Sequence, residues 1–264
     1  MKEIDFLDVV KYVCNDTPWK DDTDIEIIIN QANLVFNDIT INKTKDKKLY
    51  RLCGQTGSGK TTQLLYAMEG YTKNLNLNPV ILGVRCCSTY HPDYNKLLAI
   101  HGQNNIREIT NGFALKCMTY LLKLLMENGY MILLDITLLD PIFESFILNT
   151  ARKNEYEINY HIMSVSNEIS SKFILKREKE TGRKVNRSSS KYFNHILDKG
   201  YNFLVNNDNS KAYIWNVYDL NPIYVGNVNT SSEAFNKWRT KIDNFKYNEN
   251  ELKEAKLNYL LNEK

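Results

Sequence analysis

Short apolar runs alternate along this chain with longer segments whose apolar side chains return every three or four positions. Residues 49–53, 79–84, 130–134 and 156–165 read as buried strands. Residues 62–69, 114–128, 141–151 and 169–180 carry helical spacing. Their boundaries have chemical signals. Gly70, Gly129 and Gly182 are placed to stop three of these helices, and Pro141 suits the first turn of another. Strand and helix in alternation predict an α/β fold with a mostly parallel sheet and helices on both faces. Residues 212–218 and 223–225 read as a late hairpin or two edge strands, and the charged tail from residue 249 reads as helix.

The segment before Asp46 is largely helical in pattern. Ile28, Ile29, Ala32, Leu34 and Val35 make it apolar enough to pack on the main domain. The expected division is an N-terminal helical segment, 1–46, and a domain, 47–264, that ends in the helical tail. Lys43, Lys45, Lys47 and Lys48 form a small basic run, read as a solvated linker.

Composition narrows the classes. The chain has 264 residues, 43% of them hydrophobic, enough for one substantial core or a core with a small appendage. A net charge of +3 gives no basic field that argues for nucleic acid. The expected protein is cytoplasmic and not membrane-bound, since the N-terminus lacks a signal-peptide pattern and no apolar run is long enough to cross a bilayer. Five cysteines lack metal-ligand spacing and are expected to be reduced thiols.

One segment carries explicit chemistry. Gly54, Gln55, Thr56, Gly57, Ser58, Gly59, Lys60 and Thr61 match the phosphate-binding loop pattern, followed by Thr62. Glycines let the backbone turn closely around phosphate, and the following helix adds its positive end. Lys60 is the expected partner of the β/γ-phosphates and Thr61 the expected Mg²⁺ ligand. The strand before the loop and the helix after it are the flanks the motif requires. The expected ligand is ATP or GTP with Mg²⁺.

Other candidates gather at the predicted carboxyl ends of the strands, where such sheets bind ligands. Asp135 directly follows an apolar strand and is a candidate for holding Mg²⁺. Arg85 and Thr137 emerge at the same edge. Ile169, Phe173 and Arg177 share a helical stripe, so Arg177 continues an apolar face. Arg183 and Arg187 follow near Gly182 and three serines. Arg177 and Arg187 suit the charge that develops on a transferring phosphoryl group, Arg183 less so.

In this order the segments resemble the zeta toxins, the kinase half of bacterial epsilon/zeta-type toxin–antitoxin pairs. The glycine loop is similar to the family's. His91-Pro92-Asp93-Tyr94 resembles its His-Pro segment, and Leu134-Asp135-Ile136-Thr137-Leu138 its acid-Gly-Thr-Leu-Arg segment. Arg177 and Arg187 fit its paired γ-phosphate arginines. The resemblance spans roughly residues 49–199. It implies a P-loop kinase that moves the ATP γ-phosphate to the sugar 3′-hydroxyl of UDP-N-acetylglucosamine or a related sugar nucleotide, poisoning peptidoglycan synthesis, with an antitoxin as partner.

The departures lie at the acceptor end. The family's general-base Asp stands six residues before His-Pro, where this chain has Arg85, and nothing in 83–90 is acidic. Arginine does not take up a proton at neutral pH. Leu139 replaces an arginine that faces the sugar nucleotide, Thr119 an acid on the preceding helix, and Ile136 the glycine. Asp93 or Asp135 could then serve as base, and Arg85 could hold an anionic group of a different acceptor. The leading expectation is an active kinase with a diverged acceptor site. The alternatives are a nucleotide-binding module without transfer, and a kinase retargeted to another small molecule.

Overall fold

The computed structural model describes residues 3–16, 21–54, 57–137, 141–164, 167–181, 203–204, 206–208, 210–216 and 222–227. Their strands are β1 (Lys48–Cys53), β2 (Val80–Leu82), β3 (Ile132–Asp135), β4 (Glu157–Ser164), β5 (Lys211–Asn216) and β6 (Pro222–Asn227). They form one sheet in the order β2-β3-β1-β4-β5-β6. Neighbours are parallel from β2 to β5, and β6 closes the edge antiparallel to β5. The register places Leu49 beside Ile132 on one side and Ile158 on the other.

The helices are α1 (Phe6–Asp16), α2 (Ile25–Ile39), α3 (Leu65–Asn74), α4 (Arg85–Ser88), α5 (Tyr94–Ile109), α6 (Asn111–Glu127), α7 (Pro141–Lys153) and α8 (Asn167–Thr181). Alternate strand residues point to opposite faces. Leu49, Cys53, Ile132, Leu134, Ile158 and Ile162 join the larger core with α1, α2, α4, α6 and α7. Leu52, Leu133, Met163 and Trp215 join a smaller core with Leu64, Met68 of α3 and Phe173 of α8. Helices therefore cover both faces of a mostly parallel sheet, the architecture the periodicity predicts.

α6 is apolar on nearly every side, from Phe113 to Met126. A helix of that kind needs cover all round. The outer cover comes from α1, through Phe6, Val9, Val10 and Val13, and from α2, through Ile28, Ala32 and Val35. Lys116 of α6 is buried, with Nζ 2.5 Å from Asp21 Oδ1 and donating to the carbonyls of Asp21 and Thr23.

Three local expectations change. Gly70 does not end its helix. α3 runs on to Asn74, because Met68 and Thr72 on either side of Gly70 are buried and hold the turn. Residues 85–113, where the apolar spacing predicts no helix, contain α4, α5 and the start of α6. The basic run is not wholly free in solvent: Lys47 pairs with Glu155, Lys48 with Asp46, and Lys43 donates to Asn78. The two late strands are a hairpin-like antiparallel pair. Gly182 and the tail from residue 249 lie outside the described residues.

Candidate phosphate-binding site

β1 is central in the sheet, so its carboxyl end delivers the glycine loop to the middle of the strand-end edge. Gly54 and Gly59 both need to be glycine. A Cβ on Gly54 would lie 2.5 Å from Ser58 Oγ. Gly59 has φ +87°, and its Cβ would lie 2.8 Å from Gln63 Oε1. Gly57 also has positive φ, at 79°. The backbone here is curled as an anion nest requires. Ser58 is buried, and its Oγ has no hydrogen-bond partner among the described residues. A buried hydroxyl of that kind fits a loop built to meet phosphate oxygens.

The helix after the loop starts with a wide π-type turn over Lys60–Leu64. Leu64 N–H reaches back to the Gly59 carbonyl at 3.4 Å, and Leu65 N–H to that of Lys60. Such turns concentrate at functional sites.

Asp135, at the end of neighbouring β3, meets both side chains that open this turn. Lys60 Nζ donates to Asp135 Oδ1. Thr61 Oγ1 donates to Asp135 Oδ2 at 2.7 Å. Lys60 and Asp135 are both largely buried, at 12% and 11% side-chain exposure, so their attraction is little screened. Thr137 Oγ1 donates to the Gly54 carbonyl at 3.4 Å and ties the loop after β3 to the start of the glycine loop. Cys53, just before the loop, is no nucleophile, since burial pushes its thiol up to about 12.

A support beneath this edge was not among the expectations from sequence. Arg51, inside β1, is fully buried and donates from NH2 to Glu144 Oε1 of α7 at 2.7 Å. Its NH1 reaches the Ile136 carbonyl at 3.4 Å, next to Asp135. Burial opposes the Arg51 charge, yet Glu144 outweighs it and the pKa is raised. A charged residue in a strand that otherwise reads as apolar was the available signal.

Two further arginines flank the site. Arg85 opens α4 just past β2 and is exposed. Arg177 of α8 is half-buried; burial lowers its pKa, and the Arg85 charge lowers it further, while Glu178 opposes them. Asp93 is exposed at the start of α5, with its N–H donating to His91 Nδ1 at 3.1 Å. No contact joins it to Lys60, Thr61 or Asp135 among the described residues. Thr62 is exposed on the wide turn. Thr119 is buried and donates to the Leu115 carbonyl, a contact within its own helix. Gln55, Thr56, Leu139, Arg183 and Arg187 lie outside the described residues.

A parallel sheet with a glycine loop at its central strand end, followed by a helix that begins with Lys and Thr, defines a P-loop kinase-like protein. The family model described as "Zeta toxin" matches residues 33–199, and the chain belongs to that family. Among solved structures, the chain is similar to one from the PezAT chromosomal toxin–antitoxin system of Streptococcus pneumoniae. The two are 20% identical with a TM-score of 0.65, over 89% of this chain and 95% of that one. Weaker likenesses are to two AvrRxo1-ORF1:AvrRxo1-ORF2 complexes, one of them with sulphate ions. They have TM-scores of 0.47 and 0.48 at 12% and 14% identity, over 88% and 80% of this chain and 70% of each of those chains. Among curated proteins, none matches the chain significantly by sequence.

Proposed function

We propose that this chain is a zeta-type kinase that transfers the ATP γ-phosphate to a hydroxyl of a small-molecule acceptor, in the first instance a sugar nucleotide such as UDP-N-acetylglucosamine. The observation that supports it most is the convergence of Lys60, Thr61 and Asp135 at one strand-end edge. The loop backbone from Gly54 to Thr62, including Gln55 and Thr56, would cradle the nucleotide phosphates. Lys60 would pass from Asp135 to the β/γ-phosphates. Thr61, with Asp135 beside it, would hold Mg²⁺, which would supply positive charge against the charge that develops on the phosphates. GTP would fit the same loop.

In the transfer, the acceptor oxygen bonds to the γ-phosphorus while the bond from that phosphorus to the ADP oxygen breaks. Arg177 and Arg187 would meet the charge that builds on the equatorial oxygens. Thr137 would help shape the acceptor side. The transition state is loose, so positioning and charge dominate and a strong base is dispensable. Arg85 does not accept a proton, so the hydroxyl proton passes to Asp93, to Asp135 or to solvent water.

The family and the described fold are consistent with an antitoxin protein as partner. Among the described residues no helix is long and apolar enough to cross a membrane, and cytoplasmic action is part of the same reading. One observation favours a second reading, a nucleotide-binding module without transfer: Arg85 stands where the family keeps its base.

The test is a mass-spectrometric acceptor screen with Mg²⁺ and ATP, covering UDP-N-acetylglucosamine, other UDP-sugars, NAD and a metabolite extract, with Lys60→Ala as control. A phosphorylated UDP-sugar, absent with the variant, supports the first reading. Tight ATP binding without any product supports the second.

A further inference from the structure

Three contacts grip the residues from Asp135 to Thr137. In the parallel register Arg51 lies beside Leu134, and Leu52 beside Asp135. Arg51 shares a face of β1 with Leu49 and Cys53 of the larger core, and its side chain is fully buried there. Its NH2 donates to Glu144 Oε1 at 2.7 Å, and its NH1 donates to the Ile136 carbonyl at 3.4 Å. Ile136 is itself buried in the larger core. On the β2 side, a Cβ on Gly83 would lie 3.1 Å from the Asp135 carbonyl oxygen. On the β1 side, Thr137 Oγ1 donates to the Gly54 carbonyl at 3.4 Å. The Asp135 carboxylate, carried by this gripped segment, accepts from Lys60 and Thr61.

Stability does not account for Arg51. A buried ion pair adds little over well-packed apolar side chains. Arg51 Nε has no hydrogen-bond partner among the described residues, which raises the cost of burying it. What an apolar side chain cannot supply here is a directional hold on the Ile136 carbonyl. A lysine ammonium is a single point, whereas the guanidinium reaches its two acceptors from two nitrogens of one rigid plane. We propose that Arg51 is a positioning residue for Asp135. Anchored by Glu144, it fixes the Ile136 peptide, and with it the angle at which the Asp135 carboxylate meets Thr61 and the Mg²⁺ those two would hold. The inference rests on the kinase reading above and deepens it: the metal end depends on a residue that touches neither nucleotide nor metal. Groups that orient metal ligands in this way typically govern about 10–100-fold in metal affinity or activity.

The test follows binding of the non-hydrolysable analogue AMP-PNP to the full chain by equilibrium dialysis over a series of Mg²⁺ concentrations. Arg51→Met with Glu144→Leu removes the hold and strands no charge. Arg51→Lys keeps a charge opposite Glu144. Asp135→Asn is made alone and combined with each of these, and urea unfolding checks that every variant folds. Removing the hold raises the Mg²⁺ concentration for half-maximal AMP-PNP binding about tenfold or more, and Arg51→Lys raises it by less. AMP-PNP affinity without Mg²⁺ stays within about twofold of the wild type. In the Asp135→Asn background the Arg51 changes add no further shift, because Arg51 acts through that carboxylate. A merely structural change would weaken Mg²⁺-free binding too, and its effect would add to that of Asp135→Asn. The proposal is overturned by wild-type Mg²⁺ dependence in a folded Arg51 variant, by shifts that add to those of Asp135→Asn, or by failure of both Arg51 variants to fold. If Asp135→Asn itself leaves the Mg²⁺ dependence unmoved, the assignment of Asp135 to the metal falls and this inference with it. A shift in Asp135→Asn alongside any of the three overturning results removes the inference alone.

Discussion

Arg51 of the central strand and Glu144 of α7 form an ion pair with both side chains at 0% exposure. Through the Ile136 carbonyl the same guanidinium also holds the backbone beside Asp135. A buried pair of this kind gives little net stability over well-packed apolar residues, but removing one member strands the other charge. Glu144→Gln should therefore lower stability by about 3–5 kcal/mol, read by urea denaturation. The double change Arg51→Met with Glu144→Leu should recover most of that loss. A single variant as stable as the wild type would show that the pair is not the support described.

Lys60→Ala should abolish nucleotide binding or turnover. Equilibrium binding of ATP and a product assay check it together. Unchanged affinity and turnover in this variant would remove the assignment of the loop.

Asp135→Asn removes a charge that now faces Lys60 and Thr61. Turnover should fall by about 10²-fold or more, and the Mg²⁺ concentration for half-maximal rate should rise. A rate loss without any change in Mg²⁺ dependence would separate Asp135 from the metal.

Arg177→Ala should reduce turnover by about 10³-fold while changing ATP affinity far less, as expected of a residue that meets transition-state charge. Arg187→Ala should behave in the same way. Equal losses in kcat and in ATP affinity would assign either arginine to ground-state binding.

His161 gives a prediction about acid. It is buried against Tyr213 and Trp215, and accepts from Trp215 Nε1 on Nδ1 at 2.9 Å. Burial lowers its pKa to about 3. In the unfolded chain the ring titrates near ~6.5. The folded protein thus keeps the ring neutral where the unfolded chain gains a proton. The associated stability is complete above pH ~6.5 and is lost as pH falls towards 3, with a slope of up to ~1.4 kcal/mol per pH unit. His161→Gln should flatten this part of the pH–stability curve relative to the wild type; parallel curves would exclude His161 as its source.

The parts of the candidate site legible in the sequence are those coded by local backbone needs. Gly54, Gly57 and Gly59 are readable because nest geometry demands glycine at fixed spacing. Asp135 is readable because a carboxylate directly after an apolar run marks a strand end. Arg51 was hidden because its partner lies in α7, 93 positions further along the chain. α5 was hidden because it packs little, with Ile106 its buried apolar residue and most of its surface exposed. Gly70 misled because propensity is a weak local term, and the burial of Met68 and Thr72 overrides it. Asp93 had sequence order in its favour, but the described structure gives it no contact with the phosphate end.

The placement of β1 between β3 and β4 also fixes when the molecule can become competent. The strand that carries the glycine loop finds its two neighbours only at residues 132–135 and 157–164. Its pairing is non-local on both sides, a topology that folds slowly. During synthesis at ~5–20 residues per second, β4 leaves the ribosome about 5–20 s after β1. Until then the strand is held on one side at most, and the loop at its end has no fixed frame. A nascent chain can therefore display the whole glycine-loop pattern well before it has the strand-end edge that presents it.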